Sequence, residues 1–309
     1  MHPFTPHADA TVSAWGETKL IQSIRRWLGT SNPPPPFGIG NDCAVLPASH
    51  RRQLITVDPV IFGRHFDETV APRAVGAKLL KRNLSDLAAM GGRPTAAVLA
   101  LTLDPRVSRD WLEAFYRGLA ETARRYHVPI VGGDLAQANG VVAASLTLLG
   151  EAQGERVLTR TGAKVGDWIY VTGALGGSLA SGRHFRFSPQ LREGGWLAQR
   201  PEVRAMLDLS DGLAKDIHAL TPLGAVPALQ ARQLPRHRGA DLKAALTDGE
   251  DYELLFVLNK NADQGAFARA WRRAFPRLRV TCIGCFAPNG QQLATTLRIA
   301  DYHGYEHLR

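Results

Sequence analysis

The stretch KLLKRNLSDLAAMG, residues 78 to 91, places an aspartate inside a helical pattern of apolar residues. Leucines recur at helical spacing around Asp86, while Pro72 fits the first position of a helix and the glycine pair 91–92 fits its end. Aspartate inside a helix costs roughly 0.5 kcal/mol relative to alanine. A carboxylate kept among apolar and small residues therefore indicates a bound cation. The pattern predicts a helix from Pro72 to about Met90 with Asp86 at a cation site.

Predicted strands and helices alternate outward from this helix in both directions. Further helices are predicted at 17–28, 108–126 and 262–275, and strands at 54–58, 95–103, 128–131, 141–149, 168–172, 206–209, 252–258, 278–284 and 293–300. The glycine-rich stretch 173–178 is predicted to be a turn that leads into a helix. Intermixed strands and helices indicate an α/β or α+β layer structure in each half. A chain of 309 residues exceeds what one core usually organises, so two domains are predicted, residues 1–149 and 150–309.

The composition is that of an ordinary globular protein, with 45% hydrophobic and 21% charged residues. The net charge of +9 comes from arginines spread along the chain without a basic run, which argues against nucleic-acid binding. Apolar runs stay shorter than the roughly 18 residues of a membrane span, and residues 1–17 lack a signal-peptide pattern. We therefore expect a cytoplasmic enzyme with neither membrane nor nucleic-acid partners.

Two of the three cysteines, Cys282 and Cys285, form a C-x-x-C pair. The surrounding residues have the pattern of a strand, in which residues three apart point to opposite faces of the sheet. Few cysteines also fit a reducing compartment. The pair is therefore predicted to be two core cysteines rather than a zinc or redox site.

Acids also stand at the ends of several predicted elements, each beside small or polar residues. Thr56 and Asp58 share one face of a strand, a spacing that suits a pair of oxygen ligands. Asp208 and Ser210 likewise share one face of a predicted strand in the second half of the chain. Further acids lie beside glycine in predicted turns, at Asp42, Asp134 and Asp211 and in DGEDYE at 248–253. Each motif alone has an ordinary explanation as a turn, a solvated strand end or, for Asp211, a helix N-cap.

Together these acids are consistent with a site that binds a cation and phosphate groups. Two unit charges about 4 Å apart repel by about 4 kcal/mol at an effective dielectric constant near 20, so clustered carboxylates need a cation. Mg²⁺ often binds through one or two carboxylates, with waters and phosphate oxygens completing its shell. The predicted function is therefore an enzyme that binds Mg²⁺ and the phosphates of a nucleotide.

In their order along the chain, the motifs resemble those of the thiamine-monophosphate kinases, a family of the aminoimidazole-ribonucleotide-synthetase-like superfamily. The resemblance runs from about Gly38 to Tyr305. It is carried by GIGNDCAVL at 38–46, TVD at 56–58, GRHF at 63–66, KLLKRNLSDLAAMG at 78–91, IVGGD at 130–134, LTRTGAKVGDWIYVTGALG at 158–176, LDLSDGL at 207–213, DGEDYELLF at 248–256 and GYEH at 304–307.

The resemblance implies an N-terminal domain that binds ATP and Mg²⁺ and pairs its sheet with a second copy in a homodimer, and a C-terminal mixed α/β domain. It implies direct transfer of the ATP γ-phosphoryl group to thiamine monophosphate. By position, it implies ligands for several Mg²⁺ ions at Asp42, Thr56, Asp58, Asp86, Asp134, Asp208 and Asp211, with catalytic roles for Asp86, Asp134 and Asp208. It implies ATP contacts at Gly133, Asp134, Arg160 and Ser210, and substrate contacts at His65, Glu250 and Tyr302.

Several positions depart from the family pattern. They are Asn41 for a second aspartate, Val57 for a hydroxyl residue, Leu135 for threonine, Gln190 for arginine and Tyr302 for a frequent tryptophan, and the segment 182–206 is shortened. Two alternatives therefore stay open beside the kinase. One is a related enzyme that uses ATP and Mg²⁺ with another phosphate acceptor, and the other is a nucleotide-binding homologue with little or no turnover.

Overall fold

The computed structural model describes residues 1–34, 37–39, 43–44, 46–291 and 297–306. The chain divides into two compact units. The first consists of Met1–Leu87 and Arg93–Ala152, and the second consists of Ala88–Gly92 and Gln153–Arg309. In the described part of the chain, no helix is both long enough and apolar enough to cross a membrane.

The first unit is built on a mixed sheet that packs with helices. Its strands are β1 (Gln53–Ile61), β2 (Gly92–Leu103), β3 (Ile130–Gln137) and β4 (Val142–Ala152), in the spatial order β1-β4-β2-β3. Strand β1 runs antiparallel to β4, and β3 runs parallel to β2. The helices are α1 (Gly16–Leu28), α2 (Pro72–Ala89) and α3 (Arg109–Tyr126).

Local chemistry explains where the helices of the first unit begin and how they pack. Helix α3 starts after Ser108, whose side chain accepts a hydrogen bond from the backbone N–H of Trp111 and so caps the helix. Helix α1 packs on α3 and buries Leu20, Ile24 and Leu28, which lie one turn apart on one face. The predicted helices at 17–28, 72–90 and 108–126 therefore agree with the structure to within one residue.

The second unit is built on an antiparallel sheet with apolar clusters on both faces. Its strands are β5 (Trp168–Thr172), β6 (Val203–Asp208), β7 (Ala225–Leu229), β8 (Leu254–Leu258) and β9 (Val280–Pro288), in the order β6-β8-β5-β9-β7. Its helices are α4 (Leu191–Ala198), α5 (Leu213–Asp216), α6 (Leu242–Thr247) and α7 (Gln264–Ala274). One apolar cluster contains Leu207, Ile217 and Ile283, and the other contains Phe256 and Trp271. Strand β8 is buried along its whole length, as expected between two apolar layers.

A bulge in β9 overturns the prediction that Cys282 and Cys285 face opposite sides of the sheet. Cys282 lies opposite Tyr170 and Cys285 lies opposite Trp168, with one extra residue on β9 between these two pairs. Residues directly opposite each other in an antiparallel pair share a face, and Trp168 and Tyr170 are two residues apart on β5. Both thiols therefore lie on the same face.

Other elements also differ from the prediction. The glycine-rich turn at 173–178 does not lead directly into a helix, because Gly173, Gly176 and Gly177 have φ values of +58°, +83° and +70° and further turns follow. Residues 293–296 of the predicted strand 293–300 lie outside the described ranges, and Ile299–Asp301 forms a 3₁₀ turn instead of strand. Elements α4, α6 and β7 were not predicted.

Candidate active site

Strand β1 and helix α2 bring four of the polar side chains of the first unit together. Thr56 Oγ1 donates a hydrogen bond to Asp86 Oδ2 at 2.6 Å, so these two side chains lie next to each other. Asp58 lies two residues further along the same face of β1 and accepts from Arg82 Nη2 at 3.2 Å. Val57 lies between them but points the other way and is 61% exposed, so its replacement of a hydroxyl residue leaves this face unchanged.

Gly133 and Asp134 lie inside strand β3, not in the turn that the sequence predicted at the end of a strand. Gly133 pairs with Leu99 of β2, and a Cβ atom on Gly133 would lie 2.1 Å from the Leu99 carbonyl oxygen. Only glycine allows this close approach of two backbones. Asp134 is exposed, so its carboxylate is available to a ligand at the edge of the sheet.

A cavity of about 120 Å³ adjoins these two residues. Its apolar walls come from α1, α3 and the sheet, and the lining residues include Ile21, Ile24, Tyr116, Gly133 and Asp134. An engineered cavity of about 150 Å³ in another protein holds a benzene ring, so this volume suits a flat aromatic group. The cavity therefore combines apolar walls for a ring with backbone and carboxylate groups at one edge.

His65, the predicted substrate residue of the first unit, lies directly after β1. Its Nδ1 accepts a hydrogen bond from the Ile61 backbone N–H at 3.1 Å, and its carbonyl oxygen lies 3.5 Å from Lys78 Nζ. The ring is half-buried. The bond to Ile61 fixes the orientation of the imidazole.

The segment between β6 and α5 carries the acids of the second unit. The buried carboxylate of Asp216 accepts from the backbone N–H groups of Ser210 (3.1 Å) and Asp211 (3.0 Å) through one oxygen, Oδ2. Burial raises the pKa of Asp216 to about 7. These bonds hold the backbone of residues 210 and 211 directly after Asp208, which is buried at the end of β6.

Asp211 is not the N-cap of the following helix. Gly212 occupies that position, and no side chain caps α5. The Asp211 carboxylate instead forms an ion pair with Lys215 Nζ at 2.8 Å, and its carbonyl oxygen accepts from the Tyr305 N–H at 2.8 Å. Lys215 also donates to the Tyr305 carbonyl oxygen at 2.7 Å. The capping explanation for Asp211 is therefore wrong, and its side chain pairs with Lys215 instead.

The acidic loop 248–253 is tied to this segment by its backbone. The N–H groups of Glu250 and Tyr252 donate to the carbonyl oxygens of Ser210 (2.7 Å) and Leu209 (2.8 Å). Glu250 and Tyr252 have φ values of +51° and +53°, a left-handed conformation that is strained for residues other than glycine. Glu250 Oε2 lies 2.5 Å from His184 Nδ1. The strained loop therefore holds Glu250 beside the predicted phosphate-binding segment.

Two further acids of the loop, which the sequence reasoning did not assign, are buried in a polar network. Glu253 accepts from Thr172 Oγ1 at 2.7 Å and from the side-chain amide of Gln190, and burial raises the pKa of Glu253 to about 7. Asp251 accepts from the Gly176 N–H and from Arg183, and burial raises its pKa to about 6. The close spacing of acids in DGEDYE was the only sequence signal for this network.

Arg160 and Tyr302 occupy different environments in the second unit. Arg160 is exposed and follows Thr159, whose carbonyl oxygen accepts from the Met206 N–H of β6 at 3.0 Å. This hydrogen bond fixes the backbone next to Arg160 beside β6, the strand that ends at Asp208. Tyr302 is half-buried against the apolar cluster around Leu207.

The predicted ligand residues carry donor atoms of the kind that Mg²⁺ binds, although these residues are far apart in the sequence. The donor atoms are carboxylate and hydroxyl oxygens, which this hard cation prefers. Within the described residues, no group of three or more His, Cys, Asp or Glu side chains is placed to hold a metal ion. Asp42, and Asn41 beside it, lie outside the described ranges. Such sparse ligation suits an ion whose shell is completed by phosphate oxygens and water.

The chain is similar to known proteins over nearly its whole length. Residues 40–152 match the family described as AIR synthase related protein, N-terminal domain. The thiamine-monophosphate kinase of Escherichia coli K12 is 35% identical, with 96% of this chain and 99% of that protein covered. A crystal structure of thiamine-monophosphate kinase from Stenotrophomonas maltophilia is 30% identical, with a TM-score of 0.72 and coverage of 87% of this chain and 93% of that one. A structure described as AaThiL complexed with AMPPCP and TMP is 27% identical, with a TM-score of 0.67 and coverage of 92% and 97%. The chain therefore belongs to the thiamine-monophosphate kinase family.

Proposed function

We infer that the protein transfers the γ-phosphoryl group of ATP to thiamine monophosphate and releases thiamine diphosphate and ADP. The observation that carries this inference is the 35% identity to a thiamine-monophosphate kinase across 96% of the chain. The relative complexed with AMPPCP and TMP supports the same pair of substrates. A phosphate oxygen of thiamine monophosphate attacks the γ-phosphorus, and the bond to the oxygen that bridges the β- and γ-phosphates breaks.

This reaction needs positioning and charge neutralisation rather than a protein nucleophile. We propose that Thr56, Asp58, Asp86, Asp134, Asp208 and Asp211, with Asp42, provide the oxygen ligands for Mg²⁺. Bound Mg²⁺ would neutralise the phosphate oxygens. Asp86, Asp134 and Asp208 would act closest to the transferred group. The hydrogen bond from Thr56 orients the Asp86 carboxylate before any ligand binds.

The ATP ring and phosphates need separate contacts. We propose that the cavity lined by Ile21, Tyr116 and Gly133 takes the adenine ring, because its walls are apolar and its volume suits a flat group. The backbone at Gly133, the hydroxyl of Ser210 and the guanidinium of Arg160 would bind phosphate oxygens. Arginine presents a planar fork of donors that matches phosphate geometry.

Substrate contacts are proposed at three positions that differ in chemistry. His65 would offer a ring nitrogen, Glu250 a carboxylate fixed by the strained loop, and Tyr302 an aromatic face. Glu250 is the best supported of these, because its backbone hydrogen bond to Ser210 connects it to the phosphate-binding segment.

We also propose a homodimer formed through the first sheet. Ile55 and Val57 on the outer face of β1 are 73% and 61% exposed, and β1 is an edge strand. Burying a branched apolar side chain of this kind contributes about 1.5–3 kcal/mol. In this proposal residues 1–149 form the ATP-binding and dimerisation domain, residues 150–309 form the C-terminal domain, and the enzyme works in the cytoplasm. Sedimentation of an Ile55→Lys, Val57→Lys variant tests the dimer, which should become monomeric.

A turnover assay tests the proposed function. Purified protein is incubated with ATP, Mg²⁺ and thiamine monophosphate, and ADP and thiamine diphosphate are followed together. We expect both products in equal amounts, and a loss of about 100-fold or more in Asp86→Asn. Asp110→Asn, which changes an exposed aspartate on α3, is the matched control and should retain activity.

The assay also separates the two alternatives. ADP that forms only with a different acceptor would identify a related enzyme with another substrate. Binding of ATP with Mg²⁺, without formation of either product, would identify a homologue without turnover. Either result would contradict the proposed kinase activity.

A further inference from the structure

The N-terminal segment, residues 1–5, lies along the connection between β2 and α3. The carbonyl oxygen of the buried Pro3 accepts a hydrogen bond from the Ser108 N–H at 2.6 Å. The guanidinium of Arg106 lies 5.3 Å from the centre of the Phe4 ring, a distance at which a cation–π contact is favourable. The backbone bond and the ring contact therefore hold Phe4 at a fixed place on the first unit.

A row of aromatic rings extends from Phe4 into the core of the first unit. Phe4 meets Phe62 edge to face, with ring centres 5.9 Å apart. Phe62 meets Phe66 in the same way at 5.6 Å, and the buried Phe66 stacks on Trp111 at 5.7 Å. Aromatic pairs of these kinds stabilise a structure beyond the area that they bury. Phe62 therefore packs between the N-terminal segment on one side and the core on the other.

Phe62 and Phe66 are the first and last residues of the turn that carries His65. The Gly63 N–H donates to the Phe66 carbonyl oxygen at 2.9 Å, and the His65 N–H donates to the Ile61 carbonyl oxygen at 2.9 Å. These bonds fix the shape of the turn. The rings of Phe62 and Phe66 contribute to holding it against the first unit, so a contact that supports Phe62 also supports His65.

We propose that Phe4 is a positioning residue that holds the turn 62–66, and with it His65, in the conformation that binds thiamine monophosphate. This rests on the proposed function, in which His65 contacts that substrate. A turn that is ordered before binding avoids the loss of affinity that occurs when only a fraction of the molecules is competent to bind. Removal of the Phe4 ring should therefore raise KM for thiamine monophosphate more than it lowers kcat. None of residues 62–66 lines the cavity proposed for adenine, so KM for ATP should stay the same.

Steady-state kinetics of the full-length protein test this role. In Phe4→Ala, KM for thiamine monophosphate should rise about fivefold, the size of effect expected for loss of an aromatic pair. The values of kcat and of KM for ATP should each change by less than about twofold. Phe4→Tyr keeps the ring and should behave as the wild type. His7→Ala, which changes an exposed residue close to the N-terminal segment, is the matched control and should also behave as the wild type.

A second measurement does not depend on turnover. Amide hydrogen exchange is followed in the substrate-free protein, and the Gly63 and His65 amides should exchange about fivefold faster in Phe4→Ala than in the wild type. Amides of α7 in the second unit should exchange at the same rate in both proteins. If Phe4→Ala is too unstable to purify, Phe4→Leu keeps an apolar side chain without the ring. Its KM for thiamine monophosphate and its exchange rates in the turn should rise about threefold.

The outcomes distinguish this proposal from the proposed function. The same KM for thiamine monophosphate in the wild type and the ring-removal variant would overturn the role of Phe4 and leave the kinase assignment in place. Equal changes in kcat and in KM for both substrates would also overturn it, because the ring would then support the fold in general. Absence of turnover in the wild type would overturn the proposed function. In that case unchanged exchange rates at Gly63 and His65 would overturn the role of Phe4 as well, and faster rates would support its hold on the turn.

Discussion

The buried carboxylate of Glu253 should make the second unit less stable as the pH rises. Its pKa is raised from 4.5 to about 7, mainly by burial, so the folded chain holds a proton that the unfolded chain has already released. The stability that this proton provides is fully present below about pH 4.5 and is lost as the pH rises to about 7. The difference between these two pKa values corresponds to about 3 kcal/mol in the free energy of unfolding.

Glu253→Gln tests this value with little change in shape. Thr172 can donate to the new amide oxygen as it does to the carboxylate. Gln190 donates to the same carboxylate oxygen, Oε2, as Thr172 does, so an amide oxygen in that place can accept from both side chains. The variant should therefore keep its hydrogen bonds and lose only the titration.

The assay is urea unfolding of both proteins at pH 5 and pH 8, followed by amide hydrogen exchange in the buried strand β8, which reports on the second unit. Between these pH values, the wild type should lose about 2.5 kcal/mol more than Glu253→Gln. The neighbouring buried acids Asp216 and Asp251 are present in both proteins, so their contributions largely cancel. Glu155→Gln, which changes an exposed glutamate of the same unit, should behave as the wild type. Parallel pH profiles for wild type and Glu253→Gln would refute the argument.

Three further changes test the site. Gly133→Ala should weaken AMPPCP binding in calorimetry by at least about tenfold, because the new Cβ would lie 2.1 Å from a backbone oxygen of β2. Thr56→Val removes the hydrogen bond to Asp86 and should lower the free energy of unfolding in magnesium-free buffer by about 1 kcal/mol, as measured by urea midpoints. Lys215→Met should speed hydrogen exchange at the Tyr305 amide, because the ion bridge that holds this segment is lost. Each is contradicted by a value equal to that of the wild type.

Local patterns predicted the helices of the first unit and which polar side chains of β1 share a face. Helix α2 is predicted from Pro72 to about Met90 and runs to Ala89, and Thr56 and Asp58 both contact α2 from one face of β1. Both results depend on short-range rules, namely proline at a helix start, glycine after its end and alternation along a strand. These rules act within a few residues and can be read without tertiary information.

Elements set by tertiary packing could not be predicted in this way. Helix α4 contains two consecutive glycines, which favour a loop, but a Cβ on Gly194 would lie 1.9 Å from the Ala88 carbonyl oxygen, so close packing requires glycine there. Strand β7 contains Pro227, which is tolerated because β7 is at the edge of its sheet. The ion pair of Arg82 with Asp58 was missed for the same reason, since an arginine in a helix pattern gives no sign of its partner on a distant strand.

The bulge in β9 acts on side-chain direction as an inserted nucleotide acts on a reading frame. Before it, even-numbered residues such as Cys282 face the cluster with Trp271; after it, the odd-numbered Cys285 faces the same way. Deleting the extra residue at the bulge would restore strict alternation and leave Cys285 and buried Phe286 on their present faces, because the pairing with β5 already skips one residue there. Deleting a residue far from the bulge would instead turn part of the strand over. A comparison of homologues should therefore find single-residue gaps in this strand at the bulge rather than elsewhere.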